Sequence, residues 1–425
     1  MKNSGVEWIG EIPDGWEVSK IGQLYEERRT KVSDTIYPPL SVTMQGILPQ
    51  LETAAKSDAH DDRKLVLKGD FAINSRSDRR GSCGISEFDG SVSLINTVLH
   101  PKTEMNPIYY NWLFHSFRFS DEYYKNGHGI VDDLWTTSWS EMKRIFIPLP
   151  PKSTQQRIAS YLDKKCSKIE ETIQKQQQVI EKLKAYKQAL ITEAVTGKIK
   201  IQNGKVCGKY ESYKDSGVEW IGKIPSGWET PKIQYISTIS SGTTPNRSQP
   251  KYWNGDVNWI KTGELQNNRL FEVEEKITQT AVDECSLQIL PLNTVLIAMY
   301  GQGKTRGMTA LLKTPSTTNQ ACAALIVNSK KLSSNFLWHC LIGAYNAIRA
   351  DAEGSGQPNL NSENIKKFHI VLPSSVEEQE CICNYLDKKC TAIDTAIEQK
   401  QKLIEKLTEY KKSLIYECVT GKKEI

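Results

Sequence analysis

Two short polar loops carry the side chains best suited to reading another molecule. The first, Ser75-Arg-Ser-Asp-Arg-Arg-Gly81, holds the Ser75 hydroxyl and the guanidinium groups of Arg76, Arg79 and Arg80. The second, Met299-Tyr-Gly-Gln-Gly-Lys-Thr-Arg-Gly307, holds Tyr300, Gln302, Lys304 and Arg306 between glycines. A guanidinium can grip the major-groove edge of guanine with two hydrogen bonds, and a carboxamide can do the same for adenine. Ammonium, hydroxyl and phenol groups add contacts to phosphate and sugar. Thr243, in Ser241-Gly-Thr-Thr-Pro245, and Lys261, in Lys261-Thr-Gly-Glu264, are further candidates on polar loops. Any one of these residues could equally be an ordinary solvated side chain. The placement of the two main loops at one relative position in two dissimilar stretches is what singles them out.

Motifs for catalysis are weaker. Ala298–Thr305 (AMYGQGKT) fits a relaxed phosphate-binding loop, with alanine where the stricter pattern has its first glycine. Such a loop must open a helix, whereas the following Arg306-Gly-Met-Thr-Ala-Leu-Leu reads as turn and strand. Asp256 with Glu274-Glu-Lys276 imitates the carboxylate–lysine set of metal-dependent nucleases, but the first half of the chain has no counterpart. His60, His100, His115, His128, His339 and His369 make no metal-ligand pair at helical spacing, and the ten cysteines make no paired Cys-x-x-Cys. Gly-x-Ser-x-Gly is absent, and Pro38-Pro39 lacks the preceding Asn or Asp of an amino-methyltransferase motif. No catalytic constellation emerges, and this chain is expected to bind no metal or cofactor.

The loops need elements to hold them. Strand-like runs flank each one: Asp70–Asn74 before the first and apolar runs through Leu99 after it, Asn293–Ala298 and Met308–Lys313 around the second. Each stretch then carries a Gly-x-Gly (Gly127 and Gly129, Gly354 and Gly356) and an extended exit, Ile147-Pro-Leu-Pro150 or Ile370-Val-Leu-Pro373. Around these dissimilar stretches the chain repeats itself. Ser4–Ile21 (SGVEWIGEIPDGWEVSKI) returns as Ser216–Ile233 (SGVEWIGKIPSGWETPKI), and Tyr161–Lys198 (YLDKKC…VTGK) returns as Tyr385–Lys422. A duplicated frame with divergent inserts suggests one task performed on two targets.

The second repeat predicts two long helices. From Thr154 to Val195 there is neither proline nor glycine. Leu162, Cys166, Ile169, Ile173, Gln176, Ile180, Leu183, Lys187, Leu190 and Ala194 follow a 4-3 spacing, a heptad seam. Leu386, Cys390, Ile393, Ile397, Lys400, Ile404, Leu407, Lys411, Leu414 and Cys418 repeat it, with Gly197 and Gly421 as stops. A helix of about 40 residues is about 60 Å long and cannot bury such a stripe within one compact domain, so the two copies are each other's natural partner. Antiparallel pairing is expected, with Gln176 and Lys400 facing each other. Cys166 and Cys390 read as small buried hydrophobes on the seam.

Composition sets outer limits. The chain has 425 residues, 38% hydrophobic and 25% charged, and a formal net charge of +5. That is long enough for two to four domains and permits nucleic-acid binding without demanding it. Residues 151–200 hold 11 Lys/Arg against 5 Asp/Glu, whereas 373–425 hold 9 against 10. No signal peptide or membrane-length apolar run is visible, so a cytoplasmic protein with reduced thiols and no membrane partner is expected. The polar, glycine-containing stretch Ile201–Gly217 reads as a linker between halves.

The layout resembles the specificity subunit of type I restriction–modification systems. The likeness rests on the repeated GVEWIG-x-IP-x-GWE opening, the Leu-Pro exit from each variable stretch, the long helix starting YLD, and the VTGK close. It covers the whole chain in order. The second variable stretch (YWNGDVNWIKTGEL…TVLIAMYGQ…TTNQACAAL) also looks like a target-recognition domain of that family, although Lys304-Thr305 makes its loop longer than the likeness leads one to expect.

The resemblance implies an α+β fold. Two mixed α/β target-recognition domains are separated by two long helices in an antiparallel coiled coil, a pseudo-two-fold tandem repeat. Expected boundaries are 1–21 (opening segment), 22–150 (first recognition domain), 151–200 (central helix), 201–233 (linker and repeated opening), 234–373 (second recognition domain) and 374–425 (C-terminal helix). Each recognition domain would read one half of a split double-stranded DNA sequence. The helices would set the spacer and dock two methyltransferase subunits, with motor–nuclease restriction subunits joining for cleavage. The chain itself would be non-catalytic. S-adenosylmethionine, ATP and Mg, and any base flipping, would belong to the partners. Two competing readings are a stand-alone nuclease or DNA-dependent ATPase and a coiled-coil adaptor that binds no DNA.

Overall fold

A computed structural model describes residues 1–50, 61–130, 135–301, 303–350 and 359–425. The chain divides into two units, Met1–Gln177 with Lys400–Ile425, and Gln178–Gln399. Both divisions fall inside the two long helices, Lys152–Val195 and Val376–Val419, each of 44 residues. Each unit therefore combines one globular part with a segment of both helices.

In the first unit the apolar runs pair as an antiparallel four-stranded sheet. Its order is Cys83–Ile85, Phe71–Asn74, Asn96–Pro101, Tyr25–Glu27. Gly90–Val92, Arg63–Val66 and Lys31–Val32 make a second sheet, and Leu40–Thr43 with Gly46–Pro49 a hairpin. Two helices, Pro107–Phe114 and Phe117–Lys125, bury an aromatic core with the first sheet: Phe71, Tyr109, Tyr110, Phe114, Phe119 and Tyr123. The exit strand Phe146–Leu149 pairs with Glu17–Lys20, so the variable stretch starts and ends at one place.

The second unit has the same strand order with different residues. Thr309–Leu312, Val295–Ala298, Cys322–Val327 and Ser237–Ser241 take the four positions, and Asn268–Leu270 adds a parallel edge strand. A small sheet built on Trp253–Ile260 and the helix Gln279–Glu284 carry a separate core of Trp259, Ile277, Ala281, Val282 and Leu287. Helices Ser334–Gly343 and Tyr345–Ala350 follow the main sheet, as the helix pair does in the first unit.

The heptad seam is buried or half-buried at every expected position, from Leu162 and Ile169 to Leu407 and Leu414. In the first unit Ile158, Leu162, Cys166 and Ile169 share a core with Leu414, Ile415, Cys418 and Val419. Lys411 bonds Glu170 at 2.5 Å, and Lys400 donates to the Gln176 amide oxygen at 3.0 Å. In the second unit Lys187 bonds Asp394 at 2.7 Å. As one partner's number rises the other's falls, so the helices run antiparallel, and the expected Gln176–Lys400 pair forms. Burial pushes the Cys166 and Cys390 thiols up to about 11, which leaves them inert hydrophobes.

Each repeated opening segment seals the end of a long helix. Gly197 and Gly421 both stop their helices in the left-handed region, at φ +71° and +73°. The rings of Pro225 and Trp228 press on Gly197, and those of Pro13 and Trp16 on Gly421. Trp8 donates its indole N–H to the Phe146 carbonyl at 3.1 Å, and Trp220 does the same to His369 at 3.3 Å. Thus the repeated tryptophans tie the opening of each variable stretch to its exit.

Two expectations need correction. Ile201–Gly217 is not a plain linker: Ile201–Gln202 and Lys205–Val206 form a hairpin, Tyr213–Asp215 pairs with Lys223–Pro225, and Ile201 is buried. The strand expected from Asn293 begins at Val295, because Asn293 turns at φ +64°. The extended exit Ile370–Pro373 runs antiparallel to residues 229–232, with Leu372 and Glu229 exchanging backbone bonds at 2.8 and 2.9 Å, as the first exit runs against Glu17–Lys20. Gly354 and Gly356 lie outside the described residues.

Candidate nucleic-acid interface

Both loops are tips of antiparallel hairpins at the same position of the same sheet order. In the first unit Phe71–Asn74 leads into the loop and Cys83–Ile85 leads out, with Ile73 opposite Cys83. All four residues of the incoming strand are buried, which fixes the loop's base. A short 3₁₀ turn, Ser77–Arg79, shapes the tip. Ser75 is spent on the scaffold: its hydroxyl donates to the Ile95 carbonyl at 2.5 Å, and its own carbonyl accepts from the Thr137 N–H at 2.9 Å. Arg76 is half-buried, with its backbone bridged to Thr136. Arg79 and Arg80 are exposed, their side chains 68% and 59% accessible. Weak ion pairs hold them, Arg79 with Asp78 at 3.5 Å and Arg80 with Asp121 at 3.9 Å. Such pairs are readily exchanged for a phosphate or a base edge.

The first loop is clamped by residues far away in sequence. The Tyr124 phenol reaches the carbonyls of Asn74 at 3.3 Å and Arg79 at 3.4 Å, and can donate its one proton to either. Burial pushes that phenol up, so it stays a donor. Its ring lies under Arg80, 5.2 Å from the guanidinium carbon. The Trp135 carbonyl accepts from the Ser77 N–H at 3.0 Å, and the Trp135 indole donates back to the Tyr124 carbonyl at 2.8 Å. Gly127 lets this segment approach, because a Cβ there would strike Trp135, Thr136 and Thr137.

The second loop starts from the buried strand Val295–Ala298 and closes where Gly307 N–H donates to the Ala298 carbonyl at 2.9 Å. Tyr300 is 41% exposed, Lys304 exposed and Arg306 half-buried. Gln302 lies outside the described residues. Here too the clamp comes from the second helix after the sheet. Tyr345 donates its hydroxyl to the Lys304 carbonyl at 2.7 Å. Arg349 donates from both ends of its fork, to the carbonyls of Arg306 at 2.8 Å and Gly303 at 2.9 Å. The Glu181 carboxyl is held below its usual range, first by its bond to Lys184 and more weakly by the charge of Lys304, which places this loop beside the first long helix.

The remaining candidates are more occupied. Thr243 is exposed, and its carbonyl accepts from the Trp259 indole at 3.0 Å. Lys261 pairs with Glu275 at 3.1 Å, and Arg247 binds the same carboxylate while its guanidinium stacks 3.9 Å from the Trp253 ring centre. Glu275 is held below the usual carboxylate range, first by Arg247 and then by Lys261. Among the described residues no group of three or more His, Cys, Asp or Glu could hold a metal. The phosphate-loop likeness also fails geometrically: Thr309–Leu312 is a strand antiparallel to Val295–Ile297, where that motif needs a helix.

Sequence reasoning missed the clamps Tyr124, Trp135, Tyr345 and Arg349, since nothing local marks a residue that bonds a loop 40 or more positions away. It also missed a repeated anchor. The buried Gln155 accepts from the Asn106 N–H at 3.0 Å, and the buried Gln379 from the Ser333 N–H at 2.8 Å. Asn106 and Ser333 precede the first helix after each sheet. Each glutamine stands six residues before the repeated Tyr-Leu-Asp, a spacing visible in the sequence.

Known proteins share this construction. A family model described as the type I restriction modification DNA specificity domain matches residues 13–182 and again 225–408. The MjaIX type I restriction enzyme specificity subunit of Methanocaldococcus jannaschii is 32% identical over 194 residues, 44% of this chain and 43% of that protein, so this match spans less than half of either. The MjaVIII specificity subunit of the same organism is 24% identical across 97% of this chain and 93% of its own. Among solved structures, a chain from work on complex assembly and conformational transition of the type I R-M system aligns with a TM-score of 0.75 at 15% identity, over 97% of this chain and 100% of that one. The HsdS subunit from Thermoanaerobacter tengcongensis aligns at 0.52 and 17%, over 97% and 98%. At these identities the structures speak for the fold alone.

Proposed function

The chain belongs to the type I restriction–modification DNA specificity family, and we propose that each of its two hairpin loops reads one half of a split double-stranded DNA target. One observation carries this reading: the same strand–loop–strand hairpin occurs on the same sheet order in both units, with a different set of donors in each. Arg76, Arg79 and Arg80 serve one half-site. Tyr300, Gln302, Lys304 and Arg306 serve the other, with Thr243 and Lys261 beside them. Ser75 holds the first loop in shape. The recognition domains are residues 22–150 and 234–373, joined to the opening segments 1–21 and 201–233 and the helical regions 151–200 and 374–425.

The paired helices set the spacer and dock two methyltransferase subunits. Support for double docking comes from solvent-facing residues that are identical in the two copies: Glu181, Lys182 and Tyr186 match Glu405, Lys406 and Tyr410. The two tyrosines stay 56% and 53% exposed. A partner bound twice in the same way needs the same surface twice. Motor–nuclease subunits join the restriction complex. S-adenosylmethionine, ATP and Mg sit on partners, and this chain contributes recognition and no catalytic group, in the cytoplasm. Among its described residues no helix is long and apolar enough to cross a membrane. A net charge of +5 gives modest phosphate attraction, so tight binding relies on the assembled complex.

Long-read methylation mapping tests this. Cells carrying the gene and its methyltransferase are compared with cells lacking only this gene. A split adenine-methylated motif that vanishes with the gene is the expected result. An unchanged methylome, with both proteins expressed, would favour the adaptor or nuclease readings.

A further inference from the structure

We propose that Arg349 is a positioning residue that sets how strictly the second loop discriminates bases. The inference rests on the reading of that loop as a DNA reader. The loop carries three glycines. Gly301, Gly303 and Gly307 stand at φ +145°, +61° and +83°, conformations open chiefly to glycine, and each widens the range a free loop would sample. Its carbonyls at Gly303, Lys304 and Arg306 are satisfied from outside, by Arg349 twice and Tyr345 once. The two donors are themselves locked together, with the Arg349 guanidinium carbon 5.3 Å from the Tyr345 ring centre. Gly307 packs on the pair, since a Cβ there would meet Arg349 Cγ at 3.3 Å and the Tyr345 ring at 3.6 Å.

The consequence concerns specificity more than affinity. A loop fixed in advance loses contacts when a wrong base appears, because it cannot shift to recover them. A loop released from its clamp can adapt to either base, so right and wrong sequences converge. Arginine suits the role because its planar fork meets two carbonyls at once, which a lysine ammonium does less well. The first loop reaches the same end by another route, through Tyr124 and Trp135.

The test uses the full chain assembled with its methyltransferase partner. Initial methylation rates are measured on duplexes bearing the native motif and every single-base substitution in both halves. The variants are Arg349→Ala, Arg349→Lys, Tyr345→Phe and, as a probe of the loop itself, Lys304→Ala with Arg306→Ala. For Arg349→Ala the ratio of native to substituted rates should fall about tenfold in one half-site, the scale of one lost base-specific contact, and stay at wild type in the other. Arg349→Lys should fall between, and Tyr345→Phe should show a smaller loss in the same half. If the loop variants alter one half-site and Arg349→Ala alters neither, the positioning role is overturned while the reading of the loop stands. An equal fall in both halves would mean general damage and also overturn it. If the loop variants themselves change nothing, the reading of the loop fails and this inference fails with it.

Discussion

Asp163 and Asp387 occupy the same place in the duplicated helices and hold different partners. Asp163 accepts one bond, from the Trp112 indole at 2.8 Å. Asp387 accepts from Arg269 at 2.7 Å and contacts His339 at 3.0 Å. Burial works against its charge, but the bonds from His339 and Arg269 prevail and bring it down to about 2. By contrast, Gln155 and Gln379 make matching bonds to backbone. Frame residues that bind backbone can keep one geometry while the inserts diverge. Those that bind side chains must find a new partner in each insert. A similar split separates the two loops: one hairpin position and a tyrosine on the second helix in both, but Trp135 completing one clamp and Arg349 the other.

This contrast makes graded expectations. Gly197→Val and Gly421→Val should be the most damaging and nearly equal, each about 3 kcal/mol, because both add left-handed strain and drive a side chain into a proline ring. Hydrogen exchange resolved to the two units would show equal losses, each confined to its own unit. Asp387→Ala should cost about 2 kcal/mol, since it strands the half-buried Arg269 beside His339, whereas Asp163→Ala should cost about 1 kcal/mol for one indole bond. Equal losses for the two aspartates would contradict the different partnerships.

A smaller effect should appear on acidification. Burial lowers the pKa of His115 in the first unit and, against the pull of Asp387, of His339 in the second. A histidine depressed in the folded state stabilises above its ordinary value near 6.5 and withdraws that contribution as pH falls below it. Both units should therefore weaken between pH 7.5 and 5.5. His339→Gln, which keeps a donor toward Asp387, should flatten that slope in the second unit alone. Hydrogen exchange at the two pH values, corrected for intrinsic rates, would check it.

Much of the frame was legible in the sequence because its signals are local and occur twice. Heptad spacing located both helices, glycines located their ends, and punctuated apolar runs located the hairpins beneath Arg79 and Lys304. The hairpin at 201–206 was legible too, in its Asn203-Gly204 turn, but a polar stretch between halves reads first as a linker. The clamps were not legible. Arg349 and Tyr124 act across tens of residues on backbone carbonyls, which carry no sequence signature. The occupation of Ser75 and Lys261 by Ile95 and Glu275 likewise depends on folding that composition does not encode.

Two divergent loops on a duplicated frame are proposed to read two different half-sites. Methylation mapping of cells carrying Arg76→Ala, Arg79→Ala and Arg80→Ala together, beside cells carrying Lys304→Ala with Arg306→Ala, tests this most directly. Each set should relax one half of a split motif, a different half for each, with the spacer unchanged. Loss of both halves by either set, or no change by either, would contradict this reading.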